Sequence, residues 1–294
     1  MKIMSGTEPP SRESTSTRVH GFDAVCCMGG AQDRDGVGAP GLESLEAIAT
    51  LALEFGQSLM EAGASARHVD DIVARVAVGL GAECVDLRVG YASLILTIGV
   101  GPYKVTRMRR VGPLGVNENL YRALSAAAGQ IRRRGFAVTD ARKELMHLLH
   151  DSPRHPDWAV AVAVGVACAA FGRLLGVDWV GVGPIFVATA LGQMIRRQLG
   201  LLHVNAFITA AVVAFLGSGL SGFGARWAGS HTVATDMIAP VLLLVPGVPA
   251  FNAQCDILEG HPTLGSTRAV WVMVMLIFMT VGVWFAQGLL GEGR

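Results

Sequence analysis

The stretch Leu242-Leu-Leu-Val-Pro246-Gly247-Val-Pro249-Ala-Phe-Asn252-Ala-Gln-Cys-Asp256 decides the reading of this chain. It is an apolar run of membrane-span character, interrupted near its end by two prolines and a glycine, then followed by an amide and a carboxylate. Each proline lacks a backbone donor and clashes with the preceding turn, so no regular helix passes through unbroken. At membrane depth, broken backbone is tolerated only where protein packs around it or where it lines a wet cavity. Broken helices with polar groups beside the break are one way of building a substrate or ion site inside a bilayer. The plainer alternative is a proline kink that only shapes packing.

Around this stretch lie four more apolar runs, giving Trp158–Leu175, Trp179–Ile195, Leu201–Leu220, Thr232–Ala250 and Ala269–Leu290. Each is about the length that crosses a hydrocarbon core as a helix. All five tryptophans fall after residue 150, and Trp158, Trp179 and Trp271 stand at run starts, where aromatic belts belong. Of the 24 Lys and Arg residues only seven follow residue 150 (Arg154, Arg173, Arg196, Arg197, Arg226, Arg268 and Arg294). The expected fold is therefore membrane α-helical, with five transmembrane helices over 151–294 preceded by a small α+β cytosolic domain over 42–150. Arg142, Lys143, Arg154, the Arg196-Arg197 loop and Arg268 crowd one side of these runs, which by the positive-inside rule puts the amino-terminal domain in the cytoplasm. The net charge of +1 argues against a nucleic-acid binder.

Residues 1–41 are rich in Gly, Ser, Thr, Asp and Arg and are expected to be disordered. No continuous apolar segment there reads as a secretory signal. The five cysteines lack CxxC spacing and are expected as unpaired thiols. From Leu45 to Leu59 and from Val69 to Leu80, apolar residues recur at helical spacing, with Gly63 as a stop and Ser65 as a cap. Val85, Leu87 and Val89 alternate with Asp86 and Arg88, and with Ser93–Ile98 and Tyr103–Arg109 they predict an antiparallel meander. Asn117 and Thr139 are expected to cap two closing helices.

Chemistry in this domain is sparse. His147, His150 and Asp151 share one helical side but form only part of a metal site, and no cofactor or metal is expected. Arg107, Arg109 and Arg110, with Arg132 to Arg134, face either anionic headgroups or solvent. No nucleophile elbow, Walker loop, dinucleotide fingerprint or HExxH is present. Polar residues inside the spans carry the function instead, because lipid makes them costly. The candidates are Asp236, Asn205, Pro246, Gly247, Asn252 and Asp256, with Gln193 and His203 near helix ends. Asp236 reads equally as an interfacial carboxylate at a helix start, and the two asparagines as ties between helices.

Gly56-Gln-Ser-Leu-Met-Glu-Ala-Gly63-Ala-Ser-Ala-Arg67, the Pro246-to-Asp256 stretch continuing to Gly260-His261, Arg268, Gln193-Met-Ile-Arg196-Arg197 and Asn205-Ala-Phe together resemble the threonine/serine exporter family. The similarity runs over roughly residues 42–290 and is greatest to the large, five-span subunit of the family's split form. It implies export of small hydroxy-amino acids or succinate-like dicarboxylates across the bacterial inner membrane. Single-chain members carry about ten spans, so the resemblance also implies a smaller, separately encoded membrane partner of four or five spans. In this reading the half-helix N–H groups and Asn252 hold a substrate carboxylate, while Asp236 or Asp256 binds a proton or an ammonium group. Two other functions stay open: a membrane-anchored hydrolase, and a regulatory or scaffolding membrane subunit.

Overall fold

The computed structural model describes residues 42–150 and 156–291. The amino-terminal domain begins with α1 (Leu42–Glu61) and α2 (Ala66–Gly79), continues through strands β1 (Cys84–Val89), β2 (Ser93–Val100) and β3 (Tyr103–Arg110), and closes with α3 (Glu118–Arg134) and α4 (Val138–His150). The strands form an antiparallel sheet in the order β1-β2-β3, with Leu87 opposite Leu96 and Leu96 opposite Arg107. This is the expected meander. Leu94, Leu96 and Ile98 share one face of the central strand and are fully buried with Leu45, Phe55, Val69 and Val73 of α1 and α2. The opposite face carries Thr97, whose hydroxyl meets that of Thr106 at 2.9 Å.

Two of the three expected caps stand at the predicted N-cap positions, and one of these makes the capping bond. Asn117 accepts from the Leu120 N–H at 3.1 Å and caps α3 as predicted. Thr139 lies inside α4, which begins one residue earlier. Ser65 stands at the N-cap of α2 without a capping bond, because its hydroxyl is turned to His68 Nδ1 at 2.9 Å. Arg107 and Arg109 are not free for headgroups either, since they pair with Glu46 and Glu54. Cys168 and Cys255 are free thiols, whereas Cys84 is disulfide-bonded, which corrects the expectation of unpaired thiols throughout. Asp151 and residues 1–41 lie outside the described residues.

The second part is a helical bundle. Its members are α5 (Asp157–Leu174), α6 (Val182–Leu201), α7 (Ala206–Ala228), the broken pair α8 (Val233–Ile238) and α9 (Gly247–Leu258), and α10 (Pro262–Leu290). Individually α5, α7 and α10 are long and apolar enough to cross a membrane, and α8–α9 does so as a pair bent by 62°. The 20-residue α6 ends with Arg196 and Arg197 inside its last two turns. Arg197 pairs with Asp157 at the start of α5, and a Cβ on Gly165 of α5 would press on Phe186 of α6, so these two helices run antiparallel. The turn between α6 and α7 contains His203, the one non-glycine with positive φ (+56°) among the described residues, and Val204 donates back to Leu199.

Between α8 and α9 the chain tightens into a 3-10 stretch, Ala239–Leu244, packed against α5, α6 and α7 with Ala239, Pro240 and Leu244 buried. Pro240 sits at its start and cannot donate, which disfavours a continuous α-helix. Small residues let the break lie so deep. A Cβ on Gly217 of α7 would stand 3.4 Å from Pro240, and one on Gly172 of α5 would stand 3.3 Å from Ala239. One carbonyl released by the break, that of Leu243, accepts from Arg196 Nη1 at 3.3 Å. The break continues to Val245, where Gly247 N–H donates to the Val245 carbonyl at 2.8 Å before α9 begins.

Candidate functional site

The six polar and helix-breaking candidates fall at four places along the bundle. Pro246 and Gly247 mark the turn into α9, Asn252 and Asp256 lie on α9 beside the amino-terminal domain, Asp236 begins the opposite end of the broken helix, and Asn205 caps α7. Asn205 Oδ1 accepts from Phe207 N–H at 2.9 Å, which is a capping geometry. Gly247 has an exposed surface, and a Cβ built there meets nothing within 4 Å among the described residues.

At the α9 end the candidates form a joint. Asp256 is fully buried; its Oδ1 accepts the Ala66 N–H at 2.8 Å and its Oδ2 accepts from Arg268 Nη1 at 2.6 Å. Arg268, on α10 and 3% exposed, reaches past Asp256 to donate from Nη2 to the Ala64 carbonyl at 3.0 Å. Asn252 Nδ2 donates to the Gly63 carbonyl at 2.7 Å. Thus the turn Gly63–Ala66 is held by three side chains of the bundle, and the N-terminus of α2, left uncapped by Ser65, is met by a carboxylate from α9. A negative charge there also suits the helix dipole. Leu264 of α10 belongs to the apolar core of the amino-terminal domain, so the joint has a hydrophobic floor.

A buried ion pair of this kind is a strict arrangement. Taking two charges from water costs several kcal/mol per ion, repaid only when geometry is good and the remaining donors are satisfied. Arg268 donates to Asp256, to Ala64 and, at 3.6 Å, to the Met60 sulfur. Arg67 and Glu259 add an exposed pair at 3.6 Å, worth little by itself.

At the α8 end lies a polar knot that the sequence reading reached only through Asp236. That side chain is fully buried; its Oδ2 stands 2.6 Å from Ser230 Oγ and its Oδ1 3.3 Å from Thr232 Oγ1. The α5–α6 loop supplies Asp178, whose Oδ1 accepts from Gly181 N–H at 2.9 Å and whose Oδ2 accepts from His231 N–H at 2.9 Å. Asp178 is held below the ordinary carboxylate range, first by the His231 N–H and then by Gly181 and Ser230. A Cβ on Gly181 would come within 2.5 Å of the Asp236 carboxylate, so the loop can close over the acid only with glycine there. Ser230, Thr232 and Asp178 were missed because their spacing to Asp236 marks no motif. Their only signal was a carboxylate in a loop facing an apolar run.

Between these ends, α6 and α7 point polar atoms inward. Gln193 Oε1, Thr209 Oγ1 and Ser218 Oγ are buried without a hydrogen-bond partner among the described residues. No group of three metal-ligating side chains converges among the described residues.

Comparison with known proteins agrees in extent with this architecture. The family model described as "Putative threonine/serine exporter" matches residues 50–290. The chain is 27% identical over 250 residues to the "Probable succinate transporter subunit YjjP" of Escherichia coli strain K12, covering 85% of this chain and 97% of that protein. A protein of the same description from Klebsiella aerogenes is 26% identical, covering 83% and 95%. An uncharacterized protein of Haemophilus influenzae is 22% identical over 74% of this chain and 84% of its own length. No solved structure matches.

Proposed function

The chain belongs to the threonine/serine exporter family, and from that premise we propose that it is one subunit of an inner-membrane secondary exporter of small carboxylate metabolites. It is a multi-pass membrane protein, and family membership points to transport rather than enzymatic turnover. We read five crossings: α5, α6, α7, the α8–α9 pair as one bent span, and α10. The amino-terminal domain then faces the cytoplasm with Arg196, Arg197 and Arg268, and α10 ends outside. The cargo class is threonine and serine or a succinate-like dicarboxylate.

One observation carries the proposal: a span broken at its centre, packed among α5, α6 and α7, with unpartnered inward polar atoms on two of its neighbours. That combination is costly in a bundle that only anchors a domain. The break also supports a second subunit. Val245, Gly247 and Val248 are exposed in this chain alone, so the irregular backbone is uncovered on that side. Lipid cannot cover such backbone. A smaller membrane partner of four or five spans would, and the cargo would pass between the two.

In this scheme Pro246 and Gly247 form the cargo-facing turn, where α9 begins. Asn252 and Asp256 act from behind it, holding α9 to the Gly63–Ala66 turn so that the half-helix and the cytosolic domain move together. Asn205 fixes the start of α7, and Asp236 answers to the other side of the membrane. The test is efflux of labelled threonine, serine and succinate from vesicles containing this polypeptide with and without its partner. Efflux only with both supports the proposal. Robust efflux from vesicles containing this chain alone refutes the two-subunit reading, and no efflux of any of the three compounds with both subunits refutes the cargo class.

A further inference from the structure

At the start of α8 one hydroxyl stands between two carboxylates. Ser230 Oγ lies 2.6 Å from Asp236 Oδ2 and 3.1 Å from Asp178 Oδ1, yet a serine hydroxyl has one hydrogen to donate. Thr232 Oγ1 cannot make up the difference, since its single hydrogen is directed to Asp236 Oδ1 at 3.3 Å while it accepts the Asp178 N–H at 3.2 Å. With both carboxyls ionised, one carboxylate oxygen would face a serine lone pair inside hydrogen-bond distance. The Ser230 hydrogen then goes to the fully buried Asp236 Oδ2 at 2.6 Å, and Asp178 Oδ1 is left facing a lone pair of the same hydroxyl at 3.1 Å.

We propose that this knot is a proton-binding site, with the extra proton on Asp236 Oδ2 and donated to Ser230 Oγ. Every group is then served. Asp236 donates to Ser230, Ser230 donates to Asp178 Oδ1, and the second lone pair of Ser230 takes the Thr232 N–H at 3.1 Å. The proton belongs on Asp236 rather than Asp178, because Asp178 is partly exposed and already receives two backbone N–H groups. Asp236 receives no backbone N–H and no cation among the described residues. The charged or titratable groups on the elements around it are Asp178 and His231 in the flanking loops, Arg173 at the end of α5 and Arg226 at the end of α7. Arg173 is engaged over the Trp179 ring, 4.4 Å from its centroid, and α7 meets Asp236 through Ser221, which donates to its backbone carbonyl at 2.7 Å. A buried carboxylate served only by hydroxyls is costly to ionise.

Loss of this proton leaves two carboxylates competing for one hydroxyl, which drives the 178–181 loop and the start of α8 apart. Proton occupancy at one end of the broken helix would thereby bias the helix itself. This step rests on the exporter reading, but the site rests on the hydrogen count and is tested without transport.

The test is infrared spectroscopy of the full-length chain in lipid nanodiscs near neutral pH, reading the stretch of a protonated carboxyl. The wild type is expected to give such a band, Asp236→Asn to lose it, and Ser230→Ala to move it to higher frequency as the short hydrogen bond disappears. Asp236→Asn keeps a donor toward Ser230 and is expected to fold. Should that variant not yield protein, the Ser230→Ala shift decides. Absence of a protonated carboxyl in the wild type overturns the proposal. So does a band that survives Asp236→Asn, or one that Ser230→Ala leaves in place.

Discussion

The broken helix has a buried aspartate near each end, and the two are held in opposite ways. Asp256 meets a guanidinium and a backbone N–H. Asp236 meets two hydroxyls that also contact each other, with a second carboxylate sharing one of them. Burial alone therefore does not assign a role to an acid in a membrane bundle. The donors around it do. A fully paired carboxylate fastens two parts of the molecule, whereas a buried carboxylate held only by hydroxyls, one of them shared with a second carboxylate, is poised to take a proton.

The largest expected effect lies at the paired end. Arg268→Ala leaves the Asp256 charge buried and the Ala64 carbonyl without its donor, so a loss of about 3–5 kcal/mol is expected. It should appear as a lowered thermal unfolding midpoint in detergent and as protease sensitivity of the amino-terminal domain. A paired replacement, Asp256→Leu with Arg268→Met, should recover much of that stability, since removing both charges removes the orphan. If Arg268→Ala is as stable as wild type, the joint is not what holds the two parts together.

A smaller effect is expected where the loop closes over the other acid. Gly181→Ala puts a methyl against the Asp236 carboxylate and should cost about 1–3 kcal/mol by overpacking. Gly247→Ala meets nothing and should change stability by less than about 1 kcal/mol, the ordinary range for a helix start. Equal losses at both glycines, measured by thermal unfolding, would remove the distinction between a closed knot and an open break.

Acid should open the knot from the Asp178 side. The folded-state value of this carboxyl is depressed, so its stabilisation is present above the unfolded value of about 3.9 and is lost as pH falls through the lower folded value. Hydrogen exchange at the Gly181 and His231 amides should therefore rise below about pH 4 relative to other helix-end amides. In Asp178→Asn that extra acid sensitivity should be absent. The effect is confined to a partly exposed loop and should be the mildest of the set.

The sequence disclosed elements wherever their causes were local. Pro246, Gly247 and Pro249 announced a break, although it starts earlier, at Pro240; alternating Val85, Leu87 and Val89 announced a strand, and Asn117 announced its cap. The α6–α7 boundary was harder. Leu201 and Leu202 extend the apolar pattern across the turn, which hid the last turn of α6 and set the next run five residues early. Interactions between distant positions were not legible. Ser65 looked like the cap of α2, but the acceptor for Ala66 comes from Asp256, 190 residues away. The same limit hid Ser230 and Thr232, which matter only because the chain returns them to Asp178.

The most direct measurement takes both ends in one experiment: labelled succinate, threonine and serine efflux from cells carrying Asp236→Asn or Arg268→Ala, each compared with its amount of inserted protein. The account predicts Asp236→Asn inserted at wild-type level with efflux lost, because the helix can no longer exchange its proton. It predicts Arg268→Ala poorly accumulated, with efflux falling in step with protein. Wild-type efflux per inserted Asp236→Asn molecule, together with normal accumulation of Arg268→Ala, would contradict the division of labour between the two ends.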